Sequence, residues 1–306
     1  MSGAGLRRIA GWTLAAVFLA WVVFTFHWRA IGQVLLHTNL LVFGVASAAT
    51  LPLFFLSRTL RWQLLLPDQA RSRGLLDRYL MVGAAVGLAA LVPLQGAEIL
   101  KVESGHADSG LARRRGYSAL LIERGLDLGV ILAIFWICYP AYLPPGGRKA
   151  AALLLAFALL AGLGALGLGR IPGTGRLAAW GALFRDLLHT PGRTLAILAV
   201  TAAGWLLVLA GWAGVLAALD VHLPLAGLLA FMTGIALVGV FSLIPGGLGI
   251  CELGITGMLV LAGVDPARAQ GVAILLRCYS LVSAALGIIL AIWRRRRLPG
   301  GGPAAP

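Results

Sequence analysis

Apolar residues fill this chain in long blocks, and the charged residues gather between them. The clearest blocks are 9–26, 40–56, 117–139, 150–168, 194–219 and 269–293. A helix rises ~1.5 Å per residue, so about 20 apolar residues cross the ~30 Å hydrocarbon layer of a bilayer. Each block is read as a full membrane span. Two further stretches are apolar but broken. One runs from Tyr79 to Val92 and stops at Pro93, ahead of Gln95, Glu98, Lys101 and Glu103. The other runs from Leu225 to Ile244, breaks at Pro245-Gly246-Gly247, and resumes to Gly263.

The charge pattern decides how the broken stretches thread. The segments on both sides of 79–100 are basic, with Arg58, Arg61, Arg71, Arg73 and Arg78 before it, and Lys101 and Arg113 to Arg115 after it. A full crossing there would put half of these cations on the wrong side for the positive-inside rule. A hairpin that enters and leaves by one face keeps them together. With the N-terminus inside and the second broken stretch opening from the other side, Arg7, Arg8, Arg170, Arg176, Arg185, Arg193 and Arg294 to Arg297 join the same face. Only Arg29, Arg148, Lys149 and Arg268 then lie outside. The expected fold is all-α: a polytopic membrane protein with about six full spans and two oppositely oriented re-entrant or broken-helix hairpins, eight apolar segments in all. Both termini are expected in the cytoplasm, and the location is a cell inner (plasma) membrane.

Composition agrees. Of 306 residues, 60% are hydrophobic and 12% charged, about half the charged share of a soluble domain. A soluble enzyme and a disordered chain are excluded. The net charge of +14 would suggest nucleic acid in a soluble protein; here it sits between spans, and no nucleic-acid partner is expected. Cys138, Cys251 and Cys278 lie in apolar stretches without metal spacing, and His106 with Asp108 is too small a set to hold an ion. No metal, cofactor or catalytic residue is expected. Residues 1–298 form one transmembrane domain, with an amphipathic interfacial helix over Leu177–Leu188, and 299–306 is a disordered Gly/Pro/Ala tail.

The two breaks resemble each other. Pro93, Gly96 and Glu98 are followed by Arg124 in the next span; Pro245, Gly246, Gly247, Gly249 and Glu252 are followed by Arg277 in the next. A weak repeat of opposite orientation marks transporters whose substrate site lies near mid-membrane at broken helices. Charges inside spans are costly, about 2.5–3.5 kcal/mol each on insertion scales, yet Glu123, Arg124, Asp127 and Arg277 are all there. Glu123 and Asp127 share a helix face, and Arg124 can reach Asp127 three residues on. They are either ion pairs pinning hairpins to spans or the wall of a polar cavity, and the two readings are compatible. Arg58 and Arg61, with Trp62, close the second span, either as interfacial anchors or to capture a lipid phosphate.

Together these residues resemble the transmembrane, flippase-like family of the lysylphosphatidylglycerol synthases, found in multiple-peptide-resistance-factor proteins and also alone. The resemblance spans roughly 40–293. It rests on Arg58-x-x-Arg61-Trp62, Pro93…Gly96-x-Glu98-x-x-Lys101, Glu123-Arg124-x-x-Asp127, and Pro245-Gly246-Gly247-Leu248-Gly249-x-x-Glu252 followed by Arg277. Leu94-Gln95 replaces the family's usual Gly/Arg turn, and Lys101 stands where arginine is common. Nothing here corresponds to the soluble aminoacyl-transferase domain. The resemblance therefore implies the lipid-translocating half: movement of a phospholipid or lipid-linked polar molecule between leaflets, with no enzymatic activity. On this reading Arg124, Arg277 and Lys101 meet phosphate, while Glu98, Glu123, Asp127 and Glu252 balance them or meet a cationic headgroup. The partners implied are a membrane lipid and a lipid-synthesis enzyme. The alternatives are a membrane-embedded transferase acting on a lipid carrier, or a non-transporting partner of such an enzyme.

Overall fold

A computed structural model describes residues 22–24, 26–66, 74–89, 91–138, 149, 152, 189–241 and 244–297. Most of the first expected span, the block 150–168, the interfacial helix and the tail lie outside these. Among the described residues every regular element is helical. They are α1 (Trp28–Leu36), α2 (Leu40–Leu65), α3 (Leu75–Ala89), a 3-10 turn (Pro93–Glu98), α4 (Ile99–Ser109), α5 (Arg113–Cys138), α6 (Pro191–Ala217), α7 (Leu225–Phe241), a second 3-10 turn (Pro245–Gly247), α8 (Ile250–Leu261) and α9 (Pro266–Arg297).

Three of these, α2, α6 and α9, are long and apolar enough to cross a membrane. The protein is built inside out relative to a soluble domain. Leu261, Leu36 and Leu41 stand 90%, 85% and 76% exposed, while Arg61, Lys101 and Glu123 are buried. Such an exterior is stable only against lipid. The broken stretches behave as their proline and glycine content demands. α3 and α4 are 15 and 11 residues long, roughly 22 and 16 Å, each shorter than the ~30 Å hydrocarbon layer. The two arms pack on each other, as do α7 and α8. Arg294 ties both open ends of the first pair together, bonding Asp77 in the first turn of α3 and Asp108 near the end of α4. The second pair starts and finishes near the opposite end of α9, where Arg268 faces Asp220 at 3.9 Å.

Two helix pairings are closest. α2 and α6 run antiparallel: Gly211 lies opposite Thr50 and Gly204 opposite Ser57. Arg193 at the start of α6 donates to the carbonyls of Leu64 and Leu66 at the end of α2, and Asn39 N–H donates to Ala218 at the other end. α3 and α9 are also antiparallel and meet at Gly87 and Gly287. A Cβ on Gly87 would stand 2.7 Å from the Gly287 Cα. Without a hydrophobic drive between helices in lipid, such small residues let backbones make van der Waals contact.

The packing has an internal order. α3 rests on α9 and α7 on α5; α4 rests on α5 and α8 on α9; α2 touches α3 and α6 touches α7; and the two 3-10 turns touch each other. Exchanging α2–α5 for α6–α9 leaves this set of contacts in place.

Three boundaries differ from the sequence expectation. α2 does not end at residue 56 but continues through Arg58 and Arg61 to Leu65, because carboxylates on α5 face those arginines. Lys101 is likewise inside the bundle, so these three cations are not loop charges. The polar residues after Lys101 continue helix α4 as far as Ser109, where Gly110 in the left-handed conformation (φ 65°) closes it.

Candidate functional site

Asp127, on α5, is the first fixed point. Its two oxygens accept from Arg61 Nη1 and Nη2 at 2.8 and 3.0 Å, and from Arg58 Nη1 at 3.0 and 2.7 Å. Arg58 and Arg61 are three apart on α2, so both present from one helix face. One turn back on α5, Glu123 accepts from Arg61 Nε at 3.2 Å and from Lys101 Nζ at 2.6 Å. Lys101, on α4, reaches Glu98 at 2.8 Å and lies 4.9 Å from the Trp62 ring centroid. Glu98, at the end of the first 3-10 turn, takes Arg124 on its other oxygen.

These contacts form a chain of alternating sign: Arg58, Asp127, Arg61, Glu123, Lys101, Glu98, Arg124. Four cations meet three carboxylates, and a cation stands at each end. The interior members are nearly sealed, with Arg61 2%, Lys101 0% and Glu123 0% exposed. The end members are open, with the side chains of Arg58 and Arg124 at 12% and 30%. Ionised groups so deep are tolerated only when each is paired and hydrogen-bonded. The alternation supplies that.

The second break builds a smaller version. Gly246, Gly247 and Gly249 have φ of 60°, 61° and 80°, values that side-chain-bearing residues rarely adopt. That is the physical reason for the Pro-Gly-Gly-Leu-Gly run. The turn exposes the carbonyls of Gly246 and Gly247, which accept from Arg277 Nη1 at 2.7 Å and Nη2 at 3.5 Å. Glu252 accepts from Arg277 Nε at 2.5 Å and from Gly249 N–H at 2.8 Å, capping α8 with one oxygen and neutralising α9 with the other.

Both groups open on one cavity of about 280 Å³. Arg58, Arg124, Asp127, Glu252 and Arg277 line it together with Gly246, Cys251, Trp205, Trp212 and apolar residues of α7 and α9. A second cavity of about 170 Å³ lies beyond Arg58, Asp127, Trp205 and Trp212, which border both.

All nine expected binding residues thus fall in two groups, and five of them line the cavity. Arg61, Glu98, Lys101 and Glu123 do not; they hold the chain behind it. Arg124 pairs with Glu98, and Asp127, the partner its spacing suggested, is held by the two α2 arginines. Among the break residues, Gly246 lines the cavity, Gly247 and Gly249 set the turn, Gly96 sits in the first 3-10 turn near Val92, and Pro93 and Pro245 begin the two turns. The sequence reading missed α6. Trp205 Nε1 donates to Asp127 at 3.3 Å, and Thr201 Oγ accepts from Arg61 at 3.5 Å. Thr201, Trp205, Val208 and Trp212 recur at helical spacing on one face, and that stripe was the available signal.

A helical bundle with a lipid-compatible exterior, charged groups at its centre and two broken helix pairs is a polytopic membrane protein. The family model described as the lysylphosphatidylglycerol synthase TM region matches residues 8–287, and the chain belongs to that family. Membership places it among membrane proteins concerned with lipid handling. Among curated proteins, none matches the chain with significance.

Proposed function

We propose that this protein moves a lipid, or a lipid-linked polar molecule, between the leaflets of a bacterial inner membrane. One observation carries the reading. A single cavity receives both open ends of the alternating chain and the Arg277–Glu252 pair, while its remaining walls are mostly apolar. A headgroup would sit among the charges with its acyl chains left in lipid. Arg58, Arg124 and Arg277 would meet phosphate, for which the guanidinium fork is well shaped. Glu98, Glu123, Lys101 and Arg61 would hold those arginines in place.

The exchangeable packing of α2–α5 and α6–α9 supports an inverted repeat, since the counterpart helices α2 and α6 run antiparallel. Two re-entrant hairpins would then open to opposite faces, the first toward the arginine-rich end of α9 and the cytoplasm. Both chain termini would lie on that same side. In such folds the halves rock about a central site, and the contact between the two 3-10 turns is where that motion would pivot.

Reconstitution into liposomes with a panel of fluorescent lipids tests this. Wild-type protein should equalise at least one labelled lipid between leaflets faster than protein-free vesicles, and Arg277→Ala and Glu252→Gln should slow it. No acceleration with any lipid would sink the proposal.

A further inference from the structure

The packing draws a dividing line that does not follow the two sequence halves. α3 and α8 both lie against α9, whereas α4 and α7 both lie against α5. Each broken pair is thus split, with one arm in each group. The polar contacts at the breaks keep to the same division. Glu98 at the first break is held by Lys101 on α4 and Arg124 on α5. Glu252 and the Gly246 carbonyl at the second break are held by Arg277 on α9. The cavity draws its lining from both groups: Arg124, Asp127 and Ile235 from α5 and α7, and Glu252, Ala273 and Arg277 from α8 and α9.

At the arginine-rich end of α9, Arg294 crosses this line. It bonds Asp108 on α4, in the other group, and reaches Asp77 on α3, in its own group, at 3.5 Å. The bridge is shielded, with the side chains of Arg294 and Asp108 13% and 19% exposed. Near the start of α9, Arg268 and Asp220, which precedes α7, stand 3.9 Å apart with side chains 50% and 81% exposed. A pair so open to water and salt is screened and holds little, whereas a partly buried one is screened less. The two groups are therefore fastened at one end and loosely joined at the other. We infer that the Arg294–Asp108 bridge is a latch that shuts the cavity toward the arginine-rich face. When it releases, the group of α3, α8 and α9 swings against the group of α4, α5 and α7. This rests on the proposed translocation, which requires the cavity to reach each leaflet in turn. Asp77 keeps Arg294 paired when Asp108 withdraws, so the opening leaves no bare guanidinium.

The test uses the full-length protein in sealed membrane vesicles, with Cys251, which lines the cavity, as the sole cysteine. A membrane-impermeant thiol reagent is added to inverted and to right-side-out vesicles. Protein with Ala112→Cys as the sole cysteine marks which vesicles present the arginine-rich end. From that end, Asp108→Asn should raise the labelling rate of Cys251 about threefold or more. Arg294→Gln, which breaks the same bridge from its other side, should do the same. Asp77→Asn removes a carboxylate of the same cluster without touching the link between the groups, and should leave the rate as in the wild type. An equal rise with Asp77→Asn overturns the inference, as does an unchanged rate with either bridge variant. A rise from both ends, which general loosening of the bundle gives, overturns it too. The labelling reads a thiol and not a lipid. If the rates behave as expected but no lipid crosses liposomes, translocation fails and the latch stands.

Discussion

Arg61 holds both oxygens of Asp127, through Nη1 and Nη2 at 2.8 and 3.0 Å, from a site 2% exposed. Such a fork-on-fork pair fixes direction as well as charge. It sets α2 against α5 at one rotation, and it leaves Arg58, the second guanidinium on the same carboxylate, turned toward the cavity. Breaking a buried pair from one side strands the partner charge and costs about 3–5 kcal/mol. Asp127→Ala should therefore lower the thermal unfolding midpoint of the detergent-solubilised protein sharply. Removing Arg61 and Asp127 together should cost less than the two single changes added. Additive losses in that double-mutant cycle would mean that the two residues do not act as a pair.

The contact of Gly87 with Gly287 makes a separate prediction about packing. A methyl group on Gly87 would stand 2.7 Å from the Gly287 Cα and 2.7 Å from the Ser283 carbonyl oxygen. Backbone cannot step aside as a side chain can, so Gly87→Ala should destabilise by about 1–3 kcal/mol. Gly129, on α5, has nothing within 4 Å of the same position. There Gly129→Ala should be neutral or stabilising by up to about 1 kcal/mol. Thermal stability of the two variants, measured side by side, reads the difference.

Much of the site was legible because ionised residues inside apolar runs are expensive and so carry information. Glu123, Arg124, Asp127 and Arg277 stood out for that reason, and the glycines at 246, 247 and 249 stood out because only a broken helix needs them. The pairing was not legible. Spacing along α5 put Arg124 within reach of Asp127, but the partners came from α2, 66 residues away for Arg61. Arg58 and Arg61 read as the end of a span because hydropathy falls there; the carboxylates that keep the helix going are invisible in a local window. Trp205 and Thr201 were missed because a tryptophan or threonine in an apolar helix looks like ordinary packing until a carboxylate is known to face it.

The hairpin expectation is tested at its open ends. In a protein lacking Cys138, Cys251 and Cys278, Ala70→Cys and Ala112→Cys should react with a membrane-impermeant thiol reagent from the same side of the membrane, in intact cells or inverted vesicles. If 79–100 crosses the bilayer fully, they react from opposite sides. The meeting of Asp77 and Asp108 at Arg294 favours the first result.

The central claim is that a wet, headgroup-sized cavity lies between the two breaks. Cys251 lines it, while Cys278, on α9, does not, and both are present in the natural sequence. The most direct measurement is the rate at which each, as the sole cysteine, reacts with a small water-soluble thiol reagent in detergent, with and without added phosphatidylglycerol. The account predicts that the lipid slows the reaction of Cys251 and leaves that of Cys278 unchanged. A rate at Cys251 that the lipid does not change would contradict it.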